Sequence, residues 1–257
     1  MSSAAAFFDL DRTLMAGSSG FHWARAGARA GLIPRRRLYA DAWANLQFRL
    51  QGSTDASTYR LQERVGALIA GRRSVEFSRL APMVLAGVLP RIYPQMLDVA
   101  YAHHDEGRGV YICTAASQET AAMLAHVLGF DGGLGTRLEE DGEGVLTGRI
   151  VGPLNYGEGK PARMRELAAG EGIDLAASWA YSDSASDLPM LRAVGNPVVV
   201  NPDAELARVA AEEGWEVMRF ETLGRRLKVG AALVAAVAAG TAGRRVAAGR
   251  RVATGRR

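Results

Sequence analysis

Residues 4–13 read Ala4-Ala5-Ala6-Phe7-Phe8-Asp9-Leu10-Asp11-Arg12-Thr13. A short apolar run ends in two carboxylates two positions apart. Successive strand side chains point to opposite faces, so residues 9 and 11 share a face, and at the carboxyl edge of a parallel sheet both reach one pocket. Such a pair supplies a nucleophile and a proton donor side by side, which suits phosphoryl transfer. Read alone, Asp-x-Asp is also a solvated loop or a helix cap. The rest of the chain decides between these readings.

From Pro90 onward strands and helices alternate in the manner of a parallel sheet. A helix over about 90–107 leads into the apolar run Gly109–Cys113, which ends in Thr114-Ala115-Ala116-Ser117. Ser117 is an N-cap with Glu119 in the first turn of the next helix. Residues 136–150 read as a hairpin, with Glu140-Asp141-Gly142-Glu143-Gly144 at its turn. Pro161 suits a helix first turn directly after Lys160. A strand over 177–181 runs into Ser182-Asp183-Ser184-Ala185-Ser186-Asp187, where a short helix begins. Strand Pro197–Val200 and a helix starting at Asn201-Pro202-Asp203 follow. Each strand of this series ends in a polar residue, Asp9, Thr114, Asp183 or Asn201, and strand ends of an open parallel sheet share one edge. These residues are therefore expected to converge.

Between the first two strands the periodicity is helical. Tyr39, Trp43, Leu46 and Leu50 recur at helical steps, as do Leu61, Val65, Leu68 and Ile69, and then Phe77, Leu80 and Val84. The expected organisation is a core of residues 1–16 and 88–224, an inserted helical-bundle cap over 17–87, and a tail over 225–257.

In order and spacing, the segments at Asp9, Thr114, Lys160 and Asp183 resemble the four motifs of the haloacid dehalogenase superfamily, specifically its subfamily IB, the phosphoserine-phosphatase-like branch. The resemblance spans roughly 4–220. It implies an α/β fold, a doubly wound, Rossmann-like parallel sheet with an inserted helical cap. It also implies a Mg²⁺-dependent phosphatase working through an aspartyl-phosphate on a small phosphorylated metabolite or a lipid phosphate. In that reading Asp9 attacks phosphorus, and Asp11 protonates the leaving group and then activates water. Lys160 neutralises the transferred group, and Thr114 with the amide of Ala115 holds the phosphate. Asp9, Asp183 and the backbone of Asp11 would bind Mg²⁺, with Asp187 as a further metal partner. Departures bear on the substrate: where phosphoserine phosphatases carry a glutamate nine residues after the nucleophile this chain has Ser18, and Ser182 and Ser186 stand where Gly and Asn are usual. The narrower alternative is L-phosphoserine phosphatase. The alternative of another class is a non-catalytic scaffold or regulator that keeps the fold.

Composition sets bounds on this reading. The chain has 257 residues, long enough for one α/β domain with an insertion. Its single cysteine, Cys113, lies in an apolar strand and reads as a core residue, and a cytoplasmic setting is expected. Nine of the 31 Lys and Arg lie in 225–257, where there is no acid, which leaves 22 bases against 27 acids, a net of −5, over the rest. A nucleic-acid-binding body is not expected. The tail joins the uncharged stretch 229–243 to three Gly-Arg-Arg steps; reversible peripheral contact with anionic membrane is one reading of it, an inert extension the other. The four histidines lack zinc-like spacing and read as surface or helix-end residues.

Overall fold

The computed structural model describes residues 3–32, 66, 67 and 69–220. The expected helical stripes at Tyr39–Leu50 and at 61, 65 and 68 lie outside the described residues, as does the basic tail. Among the described residues no helix is long and apolar enough to cross a membrane.

Strand β1 (Ala5–Phe8) is buried at every position, because helices cover both faces of the sheet it belongs to. Its neighbours are β2 (Gly109–Ser117) on one side and β6 (Trp179–Ser182) on the other, both parallel to it. The sheet continues outward through β3 (Gly132–Thr136) beside β2, and through β7 (Asn196–Val200) and β8 (Glu216–Met218) beside β6. The order is β3-β2-β1-β6-β7-β8, with every described pairing parallel. The chain adds strands to one side of β1 and then to the other, as in a Rossmann-type sheet, so the order reverses at the β1/β6 boundary.

The period of two assigns the faces. Ala5 and Phe7 join one core with Tyr111, Cys113, Met164, Met190 and Leu206. That core packs against α6 (Gly159–Glu171), α7 (Leu188–Leu191) and α8 (Ala204–Glu213). Phe8 points the other way, stacking on Tyr181 at 4.4 Å and meeting His103 of α4 (Pro94–Asp105) edge-on at 6.3 Å. Helix α5 (Gln118–Leu128) starts at Ser117, whose hydroxyl accepts from the Thr120 amide at 3.3 Å.

Sequence and structure differ in places with clear causes. Helix α4 begins at Pro94 instead of about residue 90, because a residue preceding proline is driven out of the helical region, and Tyr93 is extended. β3 has no apolar alternation to betray it. Gly133 is glycine because a Cβ there would lie 2.3 Å from the backbone of Ala121 in α5. β8 is a three-residue edge strand that is mostly exposed. His22 and His103 are buried, not surface residues. His103 is enclosed between the Tyr181 hydroxyl at 2.8 Å and Arg108 at 3.0 Å.

The inserted segment between β1 and β2 is helical where described: α1 (Ser19–Arg29), α2 (Ser74–Ser78) and α3 (Ala81–Val88), with α1 packed along α3. The expected hairpin forms as β4 (Leu138–Glu140) and β5 (Leu146–Ile150). Its backbone also pairs with the insertion, through Gly71 N to Leu146 O and Leu146 N to Arg72 O, both at 2.8 Å. Hairpin and insertion are thereby tied together.

Candidate active site

In open α/β sheets ligands sit outside the strand carboxyl ends at the point where strand order reverses. Here that point is flanked by Asp9, just after β1, and Asp183, just after β6. The Asp9 amide donates to Tyr181 O at 2.9 Å, which ties the end of β1 to β6. The chain then turns sharply. Arg12 has φ +67° and the Leu14 amide returns to Leu10 O at 3.1 Å. This turn directs Asp11 toward the start of α1, where its carboxylate accepts from the Ser19 amide at 2.8 Å and the Ser18 hydroxyl at 3.0 Å.

Lys160, one of two lysines in the chain, is only 2 % exposed. Its Nζ donates to Asp9 Oδ1 at 2.7 Å and to Asp187 Oδ2 at 2.6 Å. The Ser182 hydroxyl donates to the same Asp187 oxygen at 2.7 Å. Gly159 makes this placement feasible, since a Cβ there would fall 1.8 Å from Leu154 O, and only glycine lets the start of α6 approach that loop. Burial alone would lower the pKa of Lys160, but Asp187 and Asp9 outweigh it and hold the ammonium firmly protonated. A buried ammonium costs several kcal/mol unless paired and hydrogen-bonded, and two carboxylates meet that condition.

The carboxylates are less comfortable. Burial pushes Asp9 up to about 6 although the Lys160 ammonium pulls it back. Burial pushes Asp183 up to about 8, with the Arg12 guanidinium lowering it and the charges of Asp9 and Asp187 adding to the rise. Arg12 is paired with one oxygen of Asp183, and the Thr13 hydroxyl lies 3.5 Å from the other. The sheet edge therefore holds two carboxylates that a divalent cation would keep ionised. Among the described residues no three His, Cys, Asp or Glu side chains form a ready-made metal cluster. A hard cation that takes one or two carboxylates and fills its shell with carbonyl, water and phosphate oxygens fits this donor set, and Mg²⁺ is such an ion.

On the other side of β1, Thr114 is buried and its Oγ1 accepts from the Ala116 amide at 3.2 Å. This end of β2 is pinned by Asn155, whose Nδ2 donates to Thr114 O and to Leu134 O of β3, each at 2.8 Å. Thr136 adds a hydroxyl bond to Ala115 O at 3.0 Å. Cys113 is fully buried, and burial raises its thiol to about 12, so it is inert.

Asp9, Lys160, Asp183, Asp187 and Thr114 thus meet at one sheet edge. The Asp11 carboxylate is turned to α1, and Asp187 Oδ2 is engaged by Lys160 and Ser182. Sequence reasoning missed three contributors. Arg12 sat inside the first motif and its positive φ was invisible. Ser182 stands out in the sequence only because Gly is usual there, and nothing local announces its bond to Asp187. Asn155 had no signal at all, lying in a loop whose contacts come from strands 21 and 41 residues away.

A sequence model of the haloacid dehalogenase-like hydrolases matches residues 6–192. A phosphoserine phosphatase of Mycobacterium tuberculosis is 37 % identical over 243 residues, covering 94 % of this chain and 78 % of its own length. A histidinol-phosphatase of Neisseria meningitidis is 30 % identical over 220 residues, covering 84 % and 98 %. Among solved structures, a Bordetella pertussis protein of unknown function aligns with TM-score 0.72 at 30 % identity, covering 85 % of this chain and 99 % of its own. A substrate-bound phosphoserine phosphatase aligns with TM-score 0.60 at 18 % identity, a likeness of fold alone, covering 89 % and 99 %.

Proposed function

The chain belongs to the haloacid dehalogenase-like hydrolases and is a phosphatase of that family, and we propose that Asp9 is its nucleophile and small organic phosphomonoesters its substrates. The observation that carries this reading is Lys160, buried and bridging Asp9 to Asp187. Its ammonium engages Asp9 Oδ1 and leaves the other oxygen to attack phosphorus.

Attack forms a phosphoryl–Asp9 bond while the ester P–O bond breaks, and Asp11 gives a proton to the departing alkoxide. Water then attacks the same phosphorus, Asp11 takes up its proton, and Asp9 is released with inorganic phosphate. Because the substrate's own charge repels nucleophiles, positioning and charge neutralisation do most of the work. Lys160 faces the transferred group, Thr114 with the Ala115 amide receives its oxygens, and Asp187 with Ser182 aims Lys160. Asp9, Asp183 and the Asp11 carbonyl would hold Mg²⁺, which supplies further neutralisation of phosphate charge.

Ser18 argues against L-phosphoserine as the preferred substrate. It is uncharged, and its hydroxyl donates to Asp11, so it brings no negative charge to a substrate ammonium. The test is phosphate release with Mg²⁺ across p-nitrophenyl phosphate, sugar phosphates, lysophospholipid phosphates, L-histidinol phosphate and L-phosphoserine. Hydrolysis of several by the wild type and none by Asp9→Asn is expected. Equal hydrolysis by purified Asp9→Asn contradicts the mechanism, and a tenfold preference for L-phosphoserine over all others contradicts the substrate reading.

A further inference from the structure

A cleft of about 210 Å³ lies between α1 and α3, lined by His22, Arg25 and Arg29 from one helix and Met83, Ala86 and Gly87 from the other. Positions 22, 25 and 29 fall on one helical face at steps of three and four. Gly87 is part of its construction: a Cβ there would lie 2.2 Å from His22 Nδ1, so any side chain at 87 would displace the imidazole. Arg25 and Arg29 have no acidic partner among the described residues, and no carboxylate lines the cleft. Two exposed guanidiniums without an acidic partner among the described residues, together with a buried imidazole, face one small space and suit an anion.

The cleft is also coupled to the catalytic edge. Ser18 and Ser19, which hold Asp11, are the cap and first residue of the same helix. At 1.5 Å per residue, His22 and Arg29 stand about 5 and 15 Å along α1 from Ser19. The charge of Asp11 reaches His22 and works against the lowering of its pKa by burial, Arg91 and Arg25. The cleft is small beside ligand pockets of roughly 300–1,000 Å³, so it suits one polar group of a ligand and not a whole one.

We propose that this cleft is an anion subsite, reading a second negative group, a carboxylate or phosphate, on the leaving-group side of the monoester. This rests on the phosphatase reading and narrows it, since Asp11 serves the leaving oxygen and the cations run outward from Asp11. The preferred substrates are then monoesters with a second anionic group several ångströms from the transferred phosphoryl and, unlike L-phosphoserine, no ammonium beside it.

The test compares 4-carboxyphenyl phosphate with phenyl phosphate in wild type, in Arg25→Gln/Arg29→Gln and in Arg25→Lys/Arg29→Lys. The wild type should favour the carboxylate on the order of tenfold to a hundredfold, mostly through KM, as a charge-assisted hydrogen bond warrants. The Gln pair should bring the preference close to one with phenyl phosphate turnover unchanged, and the Lys pair should retain part of it. An unchanged preference in the Gln pair, or an equal fall on both substrates, overturns the subsite. Calorimetric titration of both compounds into Asp9→Asn protein, with and without the Gln pair, reads the cleft without turnover. Loss of the carboxylate preference there supports the subsite and equal binding overturns it, even if the wild type hydrolyses neither compound and the phosphatase reading itself fails.

Discussion

Lys160 concentrates the logic of the site, because function and stability place opposite demands on a buried charge. Its removal should be costly on both counts. Lys160→Met is expected to reduce turnover by ~100- to 1,000-fold, the scale for losing one preorganised electrostatic contact. At neutral pH it should also destabilise the fold by ~3–5 kcal/mol, since Asp9 and Asp187 would remain buried without their partner. A carboxyl whose folded pKa lies above its unfolded value favours the fold at low pH and opposes it as pH rises through that value. Asp9 is already displaced upward by burial. The variant's deficit in urea unfolding should therefore be smaller at pH 5 than at pH 8, and an equal deficit at both would contradict this account. His103 carries the opposite sign. Burial and then Arg108 lower it to about 4, so the folded protein resists its protonation. The unfolded chain takes up that proton below about 6.5. Stability should fall as pH drops from about 6.5 toward 4, and His103→Gln should flatten that fall.

At the scale of elements, Asp11, the proposed proton donor, is bonded to the start of α1. Ser18 is the cap residue but makes no side-chain cap bond of its own; the Ser19 amide is satisfied instead by Asp11. The two duties separate by substitution. Asp11→Asn keeps an acceptor for that amide and should lose ~100- to 10,000-fold in turnover with little change in stability. Asp11→Ala should lose a similar turnover and a further ~1 kcal/mol, the usual cost of an absent cap. Matching stabilities for the two variants would remove α1 from the account. Elements were legible in the sequence where the pattern was local: apolar run, cap residue, proline. Ser117 and Asp203 mark helix starts for reasons visible within four residues, whereas the start at Pro94 lies four residues beyond the expected one at about 90. β3 and β8 were not legible, because one is a glycine strand shaped by a helix packed on it and the other an exposed edge of three residues. The neutral His103 and the Asn155 pin belong with them, being set by partners distant in sequence.

For the whole molecule, strand order determines which residues meet. Asp9 and Asp183 are 174 positions apart and adjacent in space because β1 and β6 flank the reversal of the sheet. Asp9, Thr114 and Asp183, read as polar residues closing apolar runs, anticipate that edge, yet not how its carboxylates are divided among Lys160, Arg12 and α1. With two raised carboxylates at the reversal, activity should vanish on chelation, return with Mg²⁺, and be inhibited by Ca²⁺, whose looser shell misplaces the nucleophile. Full activity after exhaustive chelation would contradict that assignment. The central claim is covalent. Rapid acid quenching during turnover, followed by borohydride reduction and peptide mapping, should convert Asp9, and no other aspartate, to homoserine. Substrate consumption in a single turnover with Asp9 unmodified at every quench time, or reduction at a different aspartate, would contradict it.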